Sequence, residues 1–168
     1  MLDPAARPQL LNDVGEDLTR GGATEATLLA VLDRVLGHFE CVTGTIHALD
    51  PASGRLCLQA QRGIPPAILD RVVLIPVGKG MAGIAAERRE PVQVCNLQTD
   101  TSGVAKPGAK ETRMEGSIAV PMLVGGRLRG VLGVAKPVAY DFSEAETNLL
   151  LEIAAVIGDR LGGEEGTP

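Results

Sequence analysis

The sequence predicts a single α+β domain in which a mainly antiparallel sheet packs against helices. Apolar residues recur at helical spacing towards both ends of the chain, and two strand–turn–strand patterns lie between them. Because strands that are adjacent in the sequence tend to pair as hairpins, the sheet is expected to be mainly antiparallel. The 168 residues suffice for one such domain with its own core, and they are too few for two.

The N-terminal part of the chain predicts two helices. Residues 1–23 form a polar extension in which a short helix is possible from Gln9 to Leu18. One side of that helix would carry Leu10, Leu11, Val14 and Leu18. The domain itself is predicted to start at Thr24, a candidate N-cap, because apolar residues then recur at intervals of three and four up to Phe39.

A β-hairpin and several short elements follow. The turn sequence Asp50-Pro51-Ala52-Ser53-Gly54 separates two β-like segments, which predicts the hairpin. Two prolines then open a short helix, and the glycine-rich turn Gly78–Gly83 leads into another. The predicted elements are strands at 42–49 and 55–61, a helix at 64–71, an extended run at 72–77, a helix at 81–90 and a strand at 91–95.

A long loop and a second hairpin come next. Residues 96–112 are polar and show no period, which is typical of a binding loop or a disordered one. Gly125-Gly126 then separates two apolar, β-rich segments at 116–124 and 127–135. This is the clearest hairpin signal in the chain.

A closing helix is predicted after the second hairpin. Ser143 and Glu146 have the spacing of a capping box, which starts a helix. Gly162-Gly163 is expected to stop it, leaving 162–168 as a flexible tail. The inward side of the helix would carry Leu149, Leu150, Ile153, Val156, Ile157 and Leu161.

Four segments, in this order, resemble the GAF family of small-molecule sensor domains. They are D-P-A-S-G at 50–54, G-K-G-M-A-G at 78–83, the S-I-A-V-P-M and G-R-L-R-G-V-L-G-V strands within 117–134, and Y-D-F-S-E-A-E at 140–146. The resemblance covers about residues 24–161. It implies a central antiparallel sheet of about six strands, with the terminal helices on one face and a pocket under the short helices and long loop on the other.

The glycine-rich turn allows more than one interpretation. Gly78-x-Gly80-x-x-Gly83 matches the dinucleotide fingerprint, but it lies mid-chain between hairpins rather than after the first strand of a βαβ unit. We therefore do not predict a dinucleotide site. Two interpretations stay open: the glycines let the backbone approach a ligand, or they permit close packing of the helix on the sheet.

Basic residues near this turn suggest an anionic or polar ligand. Lys79, Lys106, Lys110 and Arg113 are expected to converge near the helix start, and the planar guanidinium of Arg113 suits a carboxylate or phosphate. The alternative is a solvated loop of mixed charge, because acidic residues alternate with them. Those acidic residues are Asp100, Glu111 and Glu115.

The composition argues against several classes of site and partner. A net charge of −5 disfavours a nucleic-acid surface, and three aromatic residues are too few for stacking platforms. The three cysteines have no C-x-x-C spacing and the two histidines are far apart, so neither a metal site nor a cofactor is predicted. No signal peptide or long apolar run is present, so we expect a cytoplasmic protein without membrane contact.

The sequence predicts no enzymatic activity. One branch of the GAF family reduces free methionine-R-sulfoxide with cysteines in the G-x-G-x-C-G turn and late in the long loop. This chain has Ala82 in the turn and no cysteine between Asn96 and Pro121. Cys95 has no evident partner thiol or activating base, and His47 alternates in its strand so that it faces either the pocket or the terminal helices.

The function predicted from the sequence is sensing of a small polar or anionic ligand. The resemblance also implies a homodimer through the terminal helices, and with no output domain attached the chain is expected to act through that dimer or a separate signalling partner. A ligand-free interaction module is the alternative. The predicted ligand-binding residues are Gly80, Met81, Cys95, Arg113, Met114, Glu115, Ser117 and Ala119.

Overall fold

A computed structural model describes residues 6–105 and 107–165 of the chain. Five α-helices, six strands and a 3₁₀ helix follow one another among these residues. Their bounds are α1 (Ala6–Gly21), α2 (Glu25–Phe39), β1 (Thr43–Asp50), β2 (Arg55–Arg62), α3 (Pro66–Val72), β3 (Leu74–Pro76), α4 (Gly80–Arg88), β4 (Val92–Val94), the 3₁₀ helix (Pro107–Thr112), β5 (Ser117–Val124), β6 (Arg127–Ala135) and α5 (Glu144–Glu165).

The six strands form one antiparallel sheet in the order β3-β2-β1-β6-β5-β4. The two predicted hairpins, β1–β2 and β5–β6, are both present, and β1 pairs with β6 so that they lie side by side at the centre. The short strands β3 and β4 extend the sheet at its two edges. The predicted α+β class and six-stranded antiparallel sheet are confirmed.

The sheet separates two apolar clusters. The larger one fills the space between the sheet and helices α1, α2 and α5, with Ile46, Leu132 and Ile153 almost fully buried in it. The smaller cluster lies on the opposite face, where α4 covers Leu56 and Val131. This division leaves the second face only partly covered, and the cavity described below is there.

Helix α2 lies against the backbone of β1 at Gly44. A Cβ atom on Gly44 would lie 2.9 Å from Leu32 Cδ1 and 2.9 Å from Leu36 Cδ2. No side chain on β1 therefore separates the two elements at this point. The start of α2 is also as predicted, because the Thr24 side chain accepts a hydrogen bond from the Thr27 backbone N–H over 3.3 Å.

Helix α1 is longer than the segment predicted from Gln9 to Leu18, and its apolar stripe packs within the same chain. Leu10, Val14 and Leu18 are buried in the larger cluster. On its polar side, Asp17 accepts a hydrogen bond from Arg34 Nε of α2 over 2.5 Å. The N-terminal extension is thus an integral part of the helical layer.

Helix α5 begins at the predicted capping box. The Glu146 N–H donates to Ser143 Oγ over 3.1 Å, and the Ser143 N–H donates to Glu146 Oε1 over 2.9 Å. The predicted stop at Gly162-Gly163 is wrong, because α5 continues to Glu165. A glycine in a helix interior costs only about 1 kcal/mol relative to alanine, so two glycines do not by themselves end a helix. Residues 166–168 of the predicted tail lie outside the described residues.

The long loop is held by its own polar groups. Gln98 Nε2 donates to Lys110 O over 3.1 Å and to Met114 O over 2.8 Å. The Leu97 N–H donates to Glu115 O over 2.8 Å. These bonds join the two ends of the loop and hold the 3₁₀ helix, which the sequence does not predict, over one face of the sheet. None of the described helices has the length and apolar character needed to cross a membrane.

Candidate functional site

A cavity of about 610 Å³ lies on the face of the sheet opposite α2 and α5. The sheet forms its floor, and α3, the start of α4 and the long loop form its roof. This volume is within the range of pockets that take small-molecule ligands. The pocket implied by the resemblance is therefore present on the expected face.

Small side chains make the floor of the cavity. Among the lining residues of β1, β6 and β5 are two rows of three, and the residues of one row are directly paired across the strands. Neither row contains a side chain larger than threonine. The first row is Thr43, Ala135 and Ser117, and the second is Thr45, Gly133 and Ala119.

Apolar side chains dominate the roof. Helix α3 contributes Ile68, whose exposed fraction is 3%. The remaining apolar roof residues come from the segment before α3, from α3 itself, from β3, from the start of α4 and from the loop. They are Ile64, Val72, Ile75, Met81, Ala82, Leu97, Ala105, Ala109 and Met114.

Two glycines of the glycine-rich turn have different surroundings. Gly80 lines the cavity with a φ of 67°, a conformation that glycine adopts without strain. A Cβ on Gly83 would instead lie 2.5 Å from the backbone oxygen of Pro76, so Gly83 is required for close packing of α4 on the turn. Gly80 is thus part of the cavity wall, and Gly83 permits the close packing of α4, while contact of Gly80 with a ligand stays a prediction.

The cavity wall contains five of the eight predicted ligand-binding residues. Met81 and Met114 are in its roof, and Ser117 and Ala119 are in its floor. Gly80 lies at the start of α4. Their role in binding stays a prediction, but the structure does bring them together.

The other three predicted residues lie outside the wall. Cys95 is exposed just after β4. Arg113 is exposed with a φ of 63°, and the Glu115 carboxylate accepts a hydrogen bond from Asn96 Nδ2 over 3.3 Å. All three precede β5, which begins at Ser117 and contributes Ser117 and Ala119 to the floor.

The predicted convergence of basic residues is found only in part. Lys79 lines the cavity at its mouth, whereas Lys110 and Arg113 do not line it, and Lys106 lies outside the described residues. Arg71 of α3 lines the cavity as well. Its guanidinium forms an exposed ion pair with Glu111 across 3.3 Å, which connects the two parts of the roof.

His47 is the most deeply buried polar side chain of the wall, with an exposed fraction of 1%. Its Nε2 donates to Val72 O, at the end of α3, over 2.7 Å. Because a carbonyl only accepts, the neutral ring carries its proton on Nε2, and Nδ1 is an acceptor. Nδ1 is buried and has no hydrogen-bond partner.

Burial lowers the pKa of His47 below its ordinary value of 6.5, against a smaller opposing effect of the Val72 carbonyl. The folded protein therefore binds this proton less readily than the unfolded chain does. The stability that a neutral His47 contributes is fully present above pH 6.5 and is lost as the pH falls below it.

We expect the free energy of unfolding to fall as the pH drops below 6.5, and His47→Gln to reduce that fall. Urea denaturation at a series of pH values measures it. His38→Gln measures the separate contribution of the other histidine, since burial also lowers the pKa of His38, which lies outside the cavity. A fall of unchanged size in His47→Gln would contradict the assignment.

None of the three cysteines lines the cavity. Cys41 is buried two residues after the end of α2, where burial raises the pKa of its thiol to about 11. Cys57 is partly buried on β2, and Cys95 is exposed. Within residues 6–105 and 107–165, no three His, Cys, Asp or Glu side chains are grouped so as to hold a metal ion.

Sequence reasoning missed most of the floor. Thr43, Thr45 and His47 alternate along β1, and this spacing already places them on one face of the strand. The sequence did not show whether that face is turned to the cavity or to the terminal helices. Nothing in the sequence indicated that Arg71 lines the cavity, because a basic residue in a short helix is common.

The comparisons with known proteins agree with the fold. The GAF domain of a phosphoenolpyruvate-protein phosphotransferase from Acinetobacter is 20% identical with a TM-score of 0.82, covering 99% of this chain and 98% of that chain. The corresponding domain from Coxiella burnetii is 18% identical with a TM-score of 0.81, covering 95% of each chain. A free methionine-R-sulfoxide reductase from Neisseria meningitidis, solved with its substrate, is 21% identical with a TM-score of 0.78, covering 99% of this chain and 95% of that chain.

No curated protein matches the chain. Residues 23–161, which are most of the sequence, match the family model described as GAF domain. With the six-stranded antiparallel sheet and the cavity on its open face, this match shows that the chain belongs to the GAF domain family.

Proposed function

We propose that this GAF domain is a non-catalytic sensor that binds a small molecule in the cavity between the sheet, α3, α4 and the long loop. The cavity itself carries the proposal: about 610 Å³ with a mainly apolar wall and a few polar groups at defined positions. The sequence favours a polar or anionic ligand, and Lys79 at the mouth supports a polar group there.

The positions of the cysteines support a role without catalysis. A thiol-based reductase needs a reactive cysteine beside its substrate, whereas no cysteine lines this cavity and Ala82 occupies the turn. The similarity to the free methionine-R-sulfoxide reductase is a similarity of fold. We expect no turnover of free methionine-R-sulfoxide with a thioredoxin-type reductant, and measurable turnover would overturn the non-catalytic assignment.

Dimerisation through the terminal helices stays a prediction. The apolar stripe of α1 is covered within its own chain, and the large exposed apolar side chains among the described residues lie outside α1, α2 and α5. These exposed residues are Val42, Val73, Leu74, Val77 and Val138. Light scattering gives the mass in solution. A dimer would favour signalling through the paired helices, and a monomer would favour a separate partner.

Filling the cavity is expected to abolish ligand binding without unfolding the domain. Ala109 lines the cavity from the 3₁₀ helix, so Ala109→Phe would occupy the ligand's space. For each compound that raises the melting temperature of the original chain, the affinity is to be measured for the original chain and for the variant. We expect at least about a tenfold loss of affinity, because the ligand and the ring cannot share one volume.

Ala67→Phe is the matched control. Ala67 is exposed on α3 and lies outside the cavity wall, so the same substitution there leaves the ligand's space unchanged. Equal affinity of the two variants for every stabilising compound would show that those compounds bind elsewhere. If no compound of any class stabilises the original chain, the sensing function is refuted.

A further inference from the structure

The part of the cavity floor that carries only small side chains has the size of a small ring system. Each of its two rows crosses three strands, and neighbouring strands lie about 4.8 Å apart. Along each strand the two rows are two residues apart, which is about 7 Å. The floor is therefore about 10 Å wide and about 7 Å long. Gly133 lies in its centre and carries no side chain, so a planar molecule can lie against the sheet there.

Among the described residues, the wall offers no free charge deep in the cavity. No aspartate or glutamate within 6–105 and 107–165 lines it. The described part of the wall has two basic residues, of which Arg71 is paired with Glu111 and Lys79 is exposed at the mouth. A charged group placed among the apolar roof residues would lose its hydration without gaining a partner, which is unfavourable. The part of a ligand that enters the cavity is therefore uncharged.

One polar atom of the wall needs a partner. His47 Nδ1 is a buried acceptor without a donor, because Nε2 already donates to Val72 O. A buried acceptor left unpaired is costly, so a ligand that donates to it gains affinity. His47 lines the cavity, so a donor on a ligand that contacts its ring is the partner available to Nδ1.

We propose that the cavity binds an uncharged, flat, mainly apolar molecule whose single N–H or O–H group donates to His47 Nδ1. The proposal rests on the sensor function proposed above, and it assigns an uncharged ligand in place of the anionic one that the sequence favours. His47 is then the residue that determines specificity. The same ring holds the end of α3 through Nε2, so the ligand is bonded to the residue that fastens the roof to the sheet.

Indole and benzofuran test this directly. They share a flat bicyclic shape, but indole has an N–H donor where benzofuran has an oxygen acceptor. We expect the full chain to bind indole about tenfold more tightly than benzofuran, and indole-2-carboxylate at least about tenfold more weakly than indole. Titrations followed by NMR measure all three affinities. The 15N resonance of His47 Nδ1 is expected to shift with indole and to stay unchanged with benzofuran.

Two variants locate the effect. His47→Phe keeps a flat ring and removes the acceptor, so the preference for indole should shrink to within about twofold. His38→Phe makes the same change outside the cavity and should retain the preference. If His47→Phe does not fold, the Nδ1 resonance of the original chain decides.

The outcomes separate this proposal from the sensor function. Equal binding of indole and benzofuran with an unmoved Nδ1 resonance overturns the proposal. Tighter binding of indole-2-carboxylate than of indole also overturns it. If all three probes fail while some other compound binds and is blocked by Ala109→Phe, the ligand class is wrong and the sensor function stands. If nothing binds the cavity at all, both proposals are refuted.

Discussion

Replacing Gly130 by alanine is expected to lower the free energy of unfolding by about 3 kcal/mol or more. A Cβ atom at this position would lie 2.0 Å from the backbone oxygen of His47. Gly130 pairs with Ala48 of β1 and with Met122 of β5, so it is at the centre of the sheet. A backbone oxygen cannot rotate away as a side chain can, and β1 and β6 would have to separate.

Urea denaturation followed by circular dichroism measures this loss. Gly15→Ala is the matched control, because Gly15 is in α1 and a Cβ there meets nothing within 4 Å. That control should gain up to about 1 kcal/mol from helix propensity. A loss below about 0.5 kcal/mol in Gly130→Ala would mean that β1 and β6 tolerate a wider spacing than the structure shows.

Removal of residues 1–21 is expected to lower the free energy of unfolding by about 5 kcal/mol. Leu10, Val14 and Leu18 are buried against α2 and α5, and each fully buried aliphatic side chain contributes about 1.5–3 kcal/mol. Since whole domains are stable by only about 5–15 kcal/mol, this is a large part of the total. We expect the melting temperature to fall by about 10–20 °C in calorimetry.

Arg20→Ala is the control for this truncation. The Arg20 side chain is 72% exposed, and its ion pair with Asp17 spans 3.5 Å, so its loss should change stability by less than about 0.5 kcal/mol. Light scattering on the truncated chain separates a stability effect from a change of mass. An unchanged melting temperature would show that the family match from residue 23 onwards already contains the whole folding unit.

The order of the elements was predictable because each has a strong local cause. The hairpins come from turn residues, and α5 starts where Ser143 and Glu146 cap each other. The inclusion of α1 in the core was not predictable, because Leu10 and Leu18 are buried by residues far away in the sequence. The end of α5 was also missed, because a pair of glycines shows only a local preference.

The candidate site was predictable only where residues are close to a motif. Met81 follows the glycine-rich turn, and Ser117 begins a recognisable strand, so both were found. Arg113 was predicted because of its charge. The charge of a residue does not determine whether its side chain faces the cavity or the solvent, and Arg113 is exposed. The face of β1 on which His47 lies depends on how β1 pairs with β2 and β6, and no local pattern encodes that pairing.

The contact between α2 and Gly44 determines how a bound molecule would affect α2, which lies on the opposite face of the sheet. Gly44 belongs to the cavity wall on one side and meets Leu32 and Leu36 on the other. At Gly44, only the backbone of β1 separates the cavity from the Leu32 and Leu36 side chains of α2. Any movement of β1 by an occupant would press on the Leu32 and Leu36 side chains of α2 with no β1 side chain in between, and a close-packed interior transmits such strain.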